Sequence, residues 1–440
     1  MKSFKVVPGS IVAPKGFRTS GVFCDIKRLG TGKGSAKGRK RALALIVSDV
    51  DAVAAGMFTT NQVCAAPVKL CLERLHRSRS RARAIVVNSG NANACTGPQG
   101  MADAREMAAF TERALNVPKG SVLVGSTGRI GVLLPMDNVR AGIVDAAVHL
   151  GATREHAANA AEAIMTSDTK PKQLALEFSL GGRTVRLGGI CKGAGMIQPG
   201  MSLDGRRPAA LHATMLCFLT TDAAISPPLL RKALEEAVAQ SFNRITVDGD
   251  MSTNDTVLIL ANGLAGNPLL RVRDSRFTIF QSALNRVCLE LAQMIVQDGE
   301  GVSRFVTVRV AGARSTREAD LAARAVANSA LVKTSWHGGD PNWGRIMDAL
   351  GYSPARVVEE KVDIGYSAPG ARRVLWSVRR GQPTPVPFKE LCAAVAPKEF
   401  DLHINLNLGR ATAVIYAADL TEAYVDFNKG DISDPASLGG

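Results

Sequence analysis

RAIVVNSGNANACTG, residues 83–97, decides the fold class. Its apolar run is rich in β-branched residues and stops abruptly in Asn, Ser and Gly, the pattern of a buried strand ending in a turn. A helical stretch follows, ADAREMAAFTERALN at 102–116, and then a second strand, SVLVGSTGRIG at 121–131. Outward from this core, ALALIVSD (42–49) and MLCFLTTDAAI (215–225) read as further strands, and PPLLRKALEEAVAQSF (227–242) as a helix. Leu284, Val287, Cys288, Leu291, Met294 and Ile295 recur at the i, i+3, i+4, i+7 spacing of one buried helix face. Strands alternating with helices indicate an α/β protein whose sheets are covered by helices. Strand order is not fixed by this pattern.

A length of 440 residues allows two domains or one large α/β unit. With 46% hydrophobic and 21% charged residues, the composition is that of an ordinary globular chain. Aromatic residues at 5% are too few for a platform that stacks single-stranded nucleic acid. No apolar run reaches the length of a membrane span, and the start MKSFKVVPGSIVAPKG lacks the apolar segment of a signal peptide. The eight cysteines, at 24, 64, 71, 95, 191, 217, 288 and 392, form no CxxC pair, which removes zinc and thioredoxin readings. Reduced, mostly buried thiols and a cytoplasmic location are the expectation. The net charge of +15 is concentrated in two runs, Lys27 to Arg41 and Arg74 to Arg83. Both read as solvated loops or surface faces. No nucleic-acid module accompanies either, so no nucleic-acid partner is expected.

The stretch KGAGMIQPGMSLDGRRPAALHATMLCFLTTDAAI runs from Lys192 to Ile225. It places a Gly-rich turn with a lysine ahead of Ala213-Thr214, and Thr214 ahead of a strand. The turn lacks the spacing of a P-loop or a dinucleotide fingerprint. Three further segments put small polar residues after strands: NSGNANACTG (88–97), GSTGRIG (125–131) and VDGDMSTNDT (247–256). Each is explained alone by a capped turn, yet strand ends are where α/β proteins build sites. GSTG can present a backbone N–H and a hydroxyl to one point, as an oxyanion requires. Asp248 and Asp250 fit turn caps better than a metal, since no His or third carboxylate is near in sequence. In VQDGEG (296–301) a C-cap accounts for the glycines and leaves Glu300 unexplained. The six histidines at 76, 149, 156, 212, 337 and 403 stand apart from any nucleophile elbow. HGGDPNWGRI (337–346) reads as a structured loop with Trp343 packed and Arg345 paired to an acid.

Taken in order, these segments resemble the ornithine acetyltransferase family. The resemblance runs nearly end to end: FTTNQVCAAPV (58–68), NSGNANACTG, GSTGRIG, AIMTSDTKPK (163–172), KGAGM, ATML, SFNRITVDGDMSTNDT (241–256), VQDGEG, VANSALVKTSWHGGDPNWGRI (326–346) and NLGRATA near the C-terminus. Each motif is weak alone; the series in one order is specific. The resemblance implies a layered α/β sandwich akin to N-terminal-nucleophile enzymes, cleaved by itself between Ala213 and Thr214. The α chain is then 1–213 and the β chain 214–440, assembled as α2β2. It implies acetyl transfer from N-acetylornithine to glutamate, with no cofactor and no metal. In some members acetyl-CoA is also a donor.

By the same resemblance, Thr214 is the nucleophile, and Thr127 and Gly128 form the oxyanion hole. Thr166, Lys192, Thr214, Glu300, Asn428 and Ser433 match the substrate-binding positions, the last two in a stretch, DFNKGDIS, that follows the family pattern only in part. A Thr hydroxyl needs a base to become nucleophilic. The α-amine that cleavage frees on Thr214, with an ordinary pKa of about 8, can be that base. A lysine suits the substrate carboxylate, and Glu300 its ammonium end. One departure is SLDGRRPAALH (202–212), inserted where the family runs almost directly into ATML; it puts His212 before the scissile bond. A hydrolase with the same nucleophile, an aminopeptidase or amidase, is the rival reading, with water in place of glutamate.

Overall fold

The computed structural model describes residues 4–27, 40–77, 80–205 and 215–429. The chain divides into two compact units. One gathers Met1–Asn243, Asp250–Ile295 and Lys429–Gly440, the other Arg244–Gly249 and Val296–Asn428.

A ten-stranded sheet organises the first unit. Its path runs Lys5–Val6, Lys172–Leu180, Arg183–Lys192, Leu216–Thr221, Thr256–Ala261, Leu43–Thr59, Arg81–Asn91 and Val122–Arg129, and Phe17–Val22 and Met201–Ser202 pair beside Leu43–Thr59. All four strands expected from the sequence are in it. Two pairs are parallel: Arg81–Asn91 with Val122–Arg129, and Leu216–Thr221 with Thr256–Ala261. A parallel pair needs a crossover. The helix Gly97–Leu115 supplies the first and Pro227–Ala239 lies within the second. The central strands Leu216–Thr221 and Thr256–Ala261 are buried along their whole length. That explains why they read as continuous apolar runs with no alternation. Ile46, Val86, Phe218 and Leu258 are wholly inaccessible in this core. Each such side chain contributes about 1.5–3 kcal/mol by leaving water.

GSTG does not follow a strand; the strand continues through it to Arg129. Glycine at 125 is a packing residue, because a Cβ there would stand 3.0 Å from the ring of Phe218.

The second unit holds a seven-stranded sheet in the order Ile245–Thr246, Ala411–Ala418, Phe305–Ala313, Glu399–Asn405, Asp363–Ser367, Leu375–Arg379 and Gln382–Pro383. Thr316–Asn328 covers it, capped by the Ser315 side chain accepting from the Glu318 amide. Trp336, Tyr366 and Phe400 fill its core, with Trp343 packed against them as expected. Among the described residues Arg345 pairs with no acid: it donates to the carbonyl of Leu331 at 2.8 Å and to the Thr334 hydroxyl at 3.3 Å.

The basic runs, where they are described, divide: Arg77 and Arg81 are exposed, as expected of a surface face, while others are turned into the fold. Lys27 is buried, and Arg41 pairs with Glu162 at 2.7 Å. The side chain of Arg74 is turned inward onto Glu112 at 2.5 Å, while Arg83 reaches the carbonyls of Ser48 and Asp49. Lys27, Arg41, Arg74 and Arg83 are thus occupied by the fold itself. Residues 28–39 and 78–79 lie outside the described residues. Among the described residues no helix is long and apolar enough to cross a membrane.

Candidate active site

Thr127 and Gly128 sit where the parallel ladder between Arg81–Asn91 and Val122–Arg129 breaks. Ser89 opposes Thr127 and Gly90 opposes Gly128, after which Asn91 faces both Thr127 and Arg129. This is a β-bulge, and a bulge leaves a residue unpaired and re-aims the chain. Two facing glycines permit it: Gly90 has φ +101° and Gly128 φ +128°. A Cβ on Gly128 would come within 2.3 Å of the Gly90 carbonyl carbon, so no other residue fits. Taking a main-chain N–H out of the ladder is what an oxyanion hole requires. Thr127 is buried beside it.

The bulge is held by a residue the sequence reading treated as part of a capped turn. Asn254, nearly inaccessible, donates one amide hydrogen to the carbonyl of Ala92 at 2.7 Å and another to the carbonyl of Ser126 at 2.8 Å. Thr253 donates to its Oδ1 at 2.5 Å, which fixes the amide orientation. The next residue, Asp255, accepts from the amide of Met215 through Oδ1, and Thr256 N donates to the carbonyl of Met215 at 3.0 Å. Met215 immediately follows Thr214. Two adjacent side chains therefore tie the residue before Thr127 and the residue after Thr214 to one point of the sheet.

Lys192 is not in a turn: it ends the strand Arg183–Lys192 and lies opposite Leu216. Its side chain is 4% exposed, with Nζ 3.9 Å from Asp168 Oδ2. Asp168 also takes the amide of Thr166 on Oδ2 at 3.0 Å. Its Oδ1 accepts from Lys172 Nζ at 2.6 Å and from the Gly193 amide at 2.7 Å. Burial alone would raise this carboxyl; Lys192, Lys172 and these hydrogen bonds override it and hold Asp168 below the usual carboxylate range. Lys27 is lowered to about 8, chiefly by burial, with Glu162 opposing. Two predicted binding residues, Thr166 and Lys192, are thus joined through one buried carboxylate.

In the second unit, Glu300 and Asn428 come together although 128 residues apart: Asn428 Nδ2 donates to Glu300 Oε2 at 3.1 Å. Glu300 lies in the turn after the helix Ser275–Gln297, and Asn428 ends the helix Glu422–Phe427. Thr421 caps that helix, accepting from the Tyr424 amide at 3.1 Å, and its hydroxyl donates to the Gly301 carbonyl at 2.6 Å. Gly301 has no room for a side chain, since a Cβ would meet Tyr424 N at 2.3 Å. His337 Nε2 stands 2.9 Å from Glu422, which anchors the same short helix.

Ala213, Thr214 and Ser433 lie outside the described residues. What sequence reasoning missed are the residues that hold others in place: Asp168, Lys172, Asn254 and Asp255. The available signal was the density of Asn, Asp and Thr in TSDTKPK and STNDT, too ambiguous to separate a staple from a cap. The eight cysteines are free thiols. Burial pushes Cys24 and Cys71 up to about 12, which leaves both as unreactive thiols. Among the described residues no three His, Cys, Asp or Glu side chains stand together as a metal-ligand set.

The sequence profile of the ArgJ family matches residues 27–430. The "Arginine biosynthesis bifunctional protein ArgJ" of Symbiobacterium thermophilum is 46% identical over 96% of this chain and 98% of its own length. A "Glutamate N-acetyltransferase" of Methanocaldococcus jannaschii is 43% identical, with 96% and 98% covered. Among solved structures, an ornithine acetyltransferase of Mycobacterium tuberculosis complexed with ornithine is 37% identical over 46% of this chain and 100% of that one, with a TM-score of 0.40. A match of this length and identity leaves one conclusion: the chain belongs to the ArgJ family.

Proposed function

We propose that this protein is a glutamate N-acetyltransferase that moves the acetyl group of N-acetylornithine to glutamate through an acetyl-Thr214 intermediate, as a step in arginine biosynthesis. The observation that carries it is the bulge at Thr127–Gly128 with its Asn254–Asp255 staple. That staple joins an oxyanion-type backbone to the residue following the proposed nucleophile. Relatives at 46% and 43% identity bear the names of this activity and pathway.

The chain first cuts itself. Thr214 Oγ attacks the Ala213 carbonyl, the peptide shifts to an ester, and water hydrolyses the ester to release 1–213 from 214–440. The α-amine so freed takes the proton of Thr214 Oγ as the hydroxyl attacks the acetyl carbonyl of N-acetylornithine. Negative charge builds on the carbonyl oxygen, toward Thr127 and Gly128. The C–N bond then breaks, the proton passes to the departing nitrogen, and ornithine leaves an acetyl ester on Thr214. The amine of glutamate attacks that ester, giving N-acetylglutamate and free Thr214. Lys192 and Thr166 receive the carboxylate shared by both amino acids. Glu300 receives the ammonium of ornithine, with Asn428 and Ser433 as further binding residues. The transfer uses no cofactor and no metal; acetyl-CoA enters only as a second donor for glutamate. The two chains assemble as α2β2.

The test is transfer of isotopically labelled acetyl from N-acetylornithine to glutamate with no CoA present. Labelled N-acetylglutamate supports the proposal. Labelled free acetate, released as fast without glutamate as with it, would assign the chain to the amidohydrolase reading instead.

A further inference from the structure

In NSGNANACTG (88–97) a capped turn accounts for one bond of Asn91, whose Oδ1 accepts from the Asn93 amide at 2.8 Å. It does not account for the rest of Asn91, nor for Asn88. Asn88 lies opposite Ser126 in the parallel ladder and is wholly inaccessible. Its Oδ1 accepts from Ser126 Oγ at 2.6 Å, and its Nδ2 donates to the Asn91 carbonyl at 2.8 Å. Asn91, buried as well, donates from Nδ2 to the carbonyls of Val132 and Leu133 at 3.0 and 3.1 Å. A carbonyl oxygen only accepts, so each amide can be oriented in one way alone.

The bonded residues bracket the bulge. Ser126 immediately precedes Thr127, and Val132 and Leu133 follow Gly128 shortly after in the chain. Asn91 is itself the residue that faces both Thr127 and Arg129. A bulge disturbs the ladder, and a buried carbonyl at that point needs a well-placed donor. Asn88 supplies one to the carbonyl of Asn91. An amide suits this place because it carries an acceptor for Ser126 and a donor for Asn91 on the same carbon; a carboxylate has no such donor. Two neighbouring asparagines on one strand thus hold the other strand before the Thr127–Gly128 pair and after it.

We propose that Asn88 and Asn91 are positioning residues for the acyl transfer: their side-chain amides fix the Thr127–Gly128 bulge from both sides, so that its donors are already aimed where negative charge develops. The inference rests on the proposed function, and its test separates the two. The kcat and KM for transfer from N-acetylornithine to glutamate are measured for the wild type, Asn88→Ala, Thr127→Ala and the double variant. Rates are taken per cleaved chain, counted on denaturing electrophoresis.

Asn88→Ala should lower kcat about tenfold or more and leave KM within about threefold, because the oxyanion forms only on the way through the transition state. In the Thr127→Ala background the same change should lower kcat by less than about threefold, since the hole it positions is already impaired. A merely structural residue would lower kcat by one factor in both backgrounds, or lower only the yield of folded enzyme. If Asn88→Ala fails to fold or to cleave, Ser126→Ala, which removes the single bond to Asn88 Oδ1, is read in the same way with a smaller drop. Unchanged kcat in a folded variant, a raised KM with kcat intact, or an equal loss in both backgrounds overturns the proposal. Full kcat in Thr127→Ala overturns the oxyanion reading it rests on, and absence of acetyl transfer in the wild type overturns the function.

Discussion

At the scale of single residues, the site depends on what surrounds the chemistry as much as on the chemistry. Thr127 is buried at a bulge, next to a glycine that tolerates no Cβ. Thr127→Ala should cut kcat by roughly 10²-fold, the usual loss for one oxyanion donor. KM for N-acetylornithine should change little; a raised KM with kcat intact would make Thr127 a binding residue instead. Asn254 is a second residue to test. Its side-chain amide satisfies the Ala92 and Ser126 carbonyls. Removing it in Asn254→Ala leaves buried acceptors without this donor, at about 1–3 kcal/mol. Thermal unfolding should shift down by that amount, and kcat should fall more than Kd for substrate rises. A variant that loses stability and keeps full kcat would mean the staple serves the fold alone. GSTG taken alone read as a capped turn, and it was the family resemblance that marked Thr127 and Gly128. Asn254 and Asp168 were not visible, since Asn and Asp in polar segments cap turns far more often than they cross the fold.

At the scale of elements, the helix Glu422–Phe427 is the most exposed dependency. With six residues it is too short to be stable by itself. Thr421 ties its first turn to the Gly301 carbonyl, and Asn428 at its end meets Glu300. Thr421→Val keeps the shape and deletes both hydrogen bonds, a loss of about 1 kcal/mol for a cap. The predicted result is a higher KM for N-acetylornithine than for glutamate, read from initial rates with each substrate varied. Equal changes in both would detach Glu300 from ornithine selectivity. Strand positions were legible in the sequence because buried strands such as Leu216–Thr221 read as unbroken apolar runs. Their ends were not. The strand through GSTG runs on to Arg129, since glycines that look like a turn locally are held in the ladder by Arg81–Asn91. Strand order was equally hidden, because pairing of Arg183–Lys192 with Leu216–Thr221 is a long-range choice made by packing. The apolar stripe from Leu284 to Ile295 did identify its helix, which spans Ser275–Gln297.

At the scale of the whole molecule, the account requires one peptide bond to break. A chain cut between Ala213 and Thr214 should run as two fragments on denaturing electrophoresis, the second with Thr214 at its N-terminus. Thr214→Ala should stay whole, since no hydroxyl remains to make the ester. The insertion 202–212 abuts that bond in sequence, and a chain shortened there to the family's length should still be cut, because the ester shift needs only the Thr214 hydroxyl and the Ala213 carbonyl. The central claim is the acetyl ester on Thr214, and mass spectrometry of the protein after exposure to N-acetylornithine alone tests it most directly. The fragment beginning at Thr214 should gain one acetyl group and lose it when glutamate is added, with N-acetylglutamate appearing in equal amount. An unmodified fragment in a preparation that still transfers acetyl, with rate plots against the two substrates that intersect in place of running parallel, would contradict the account.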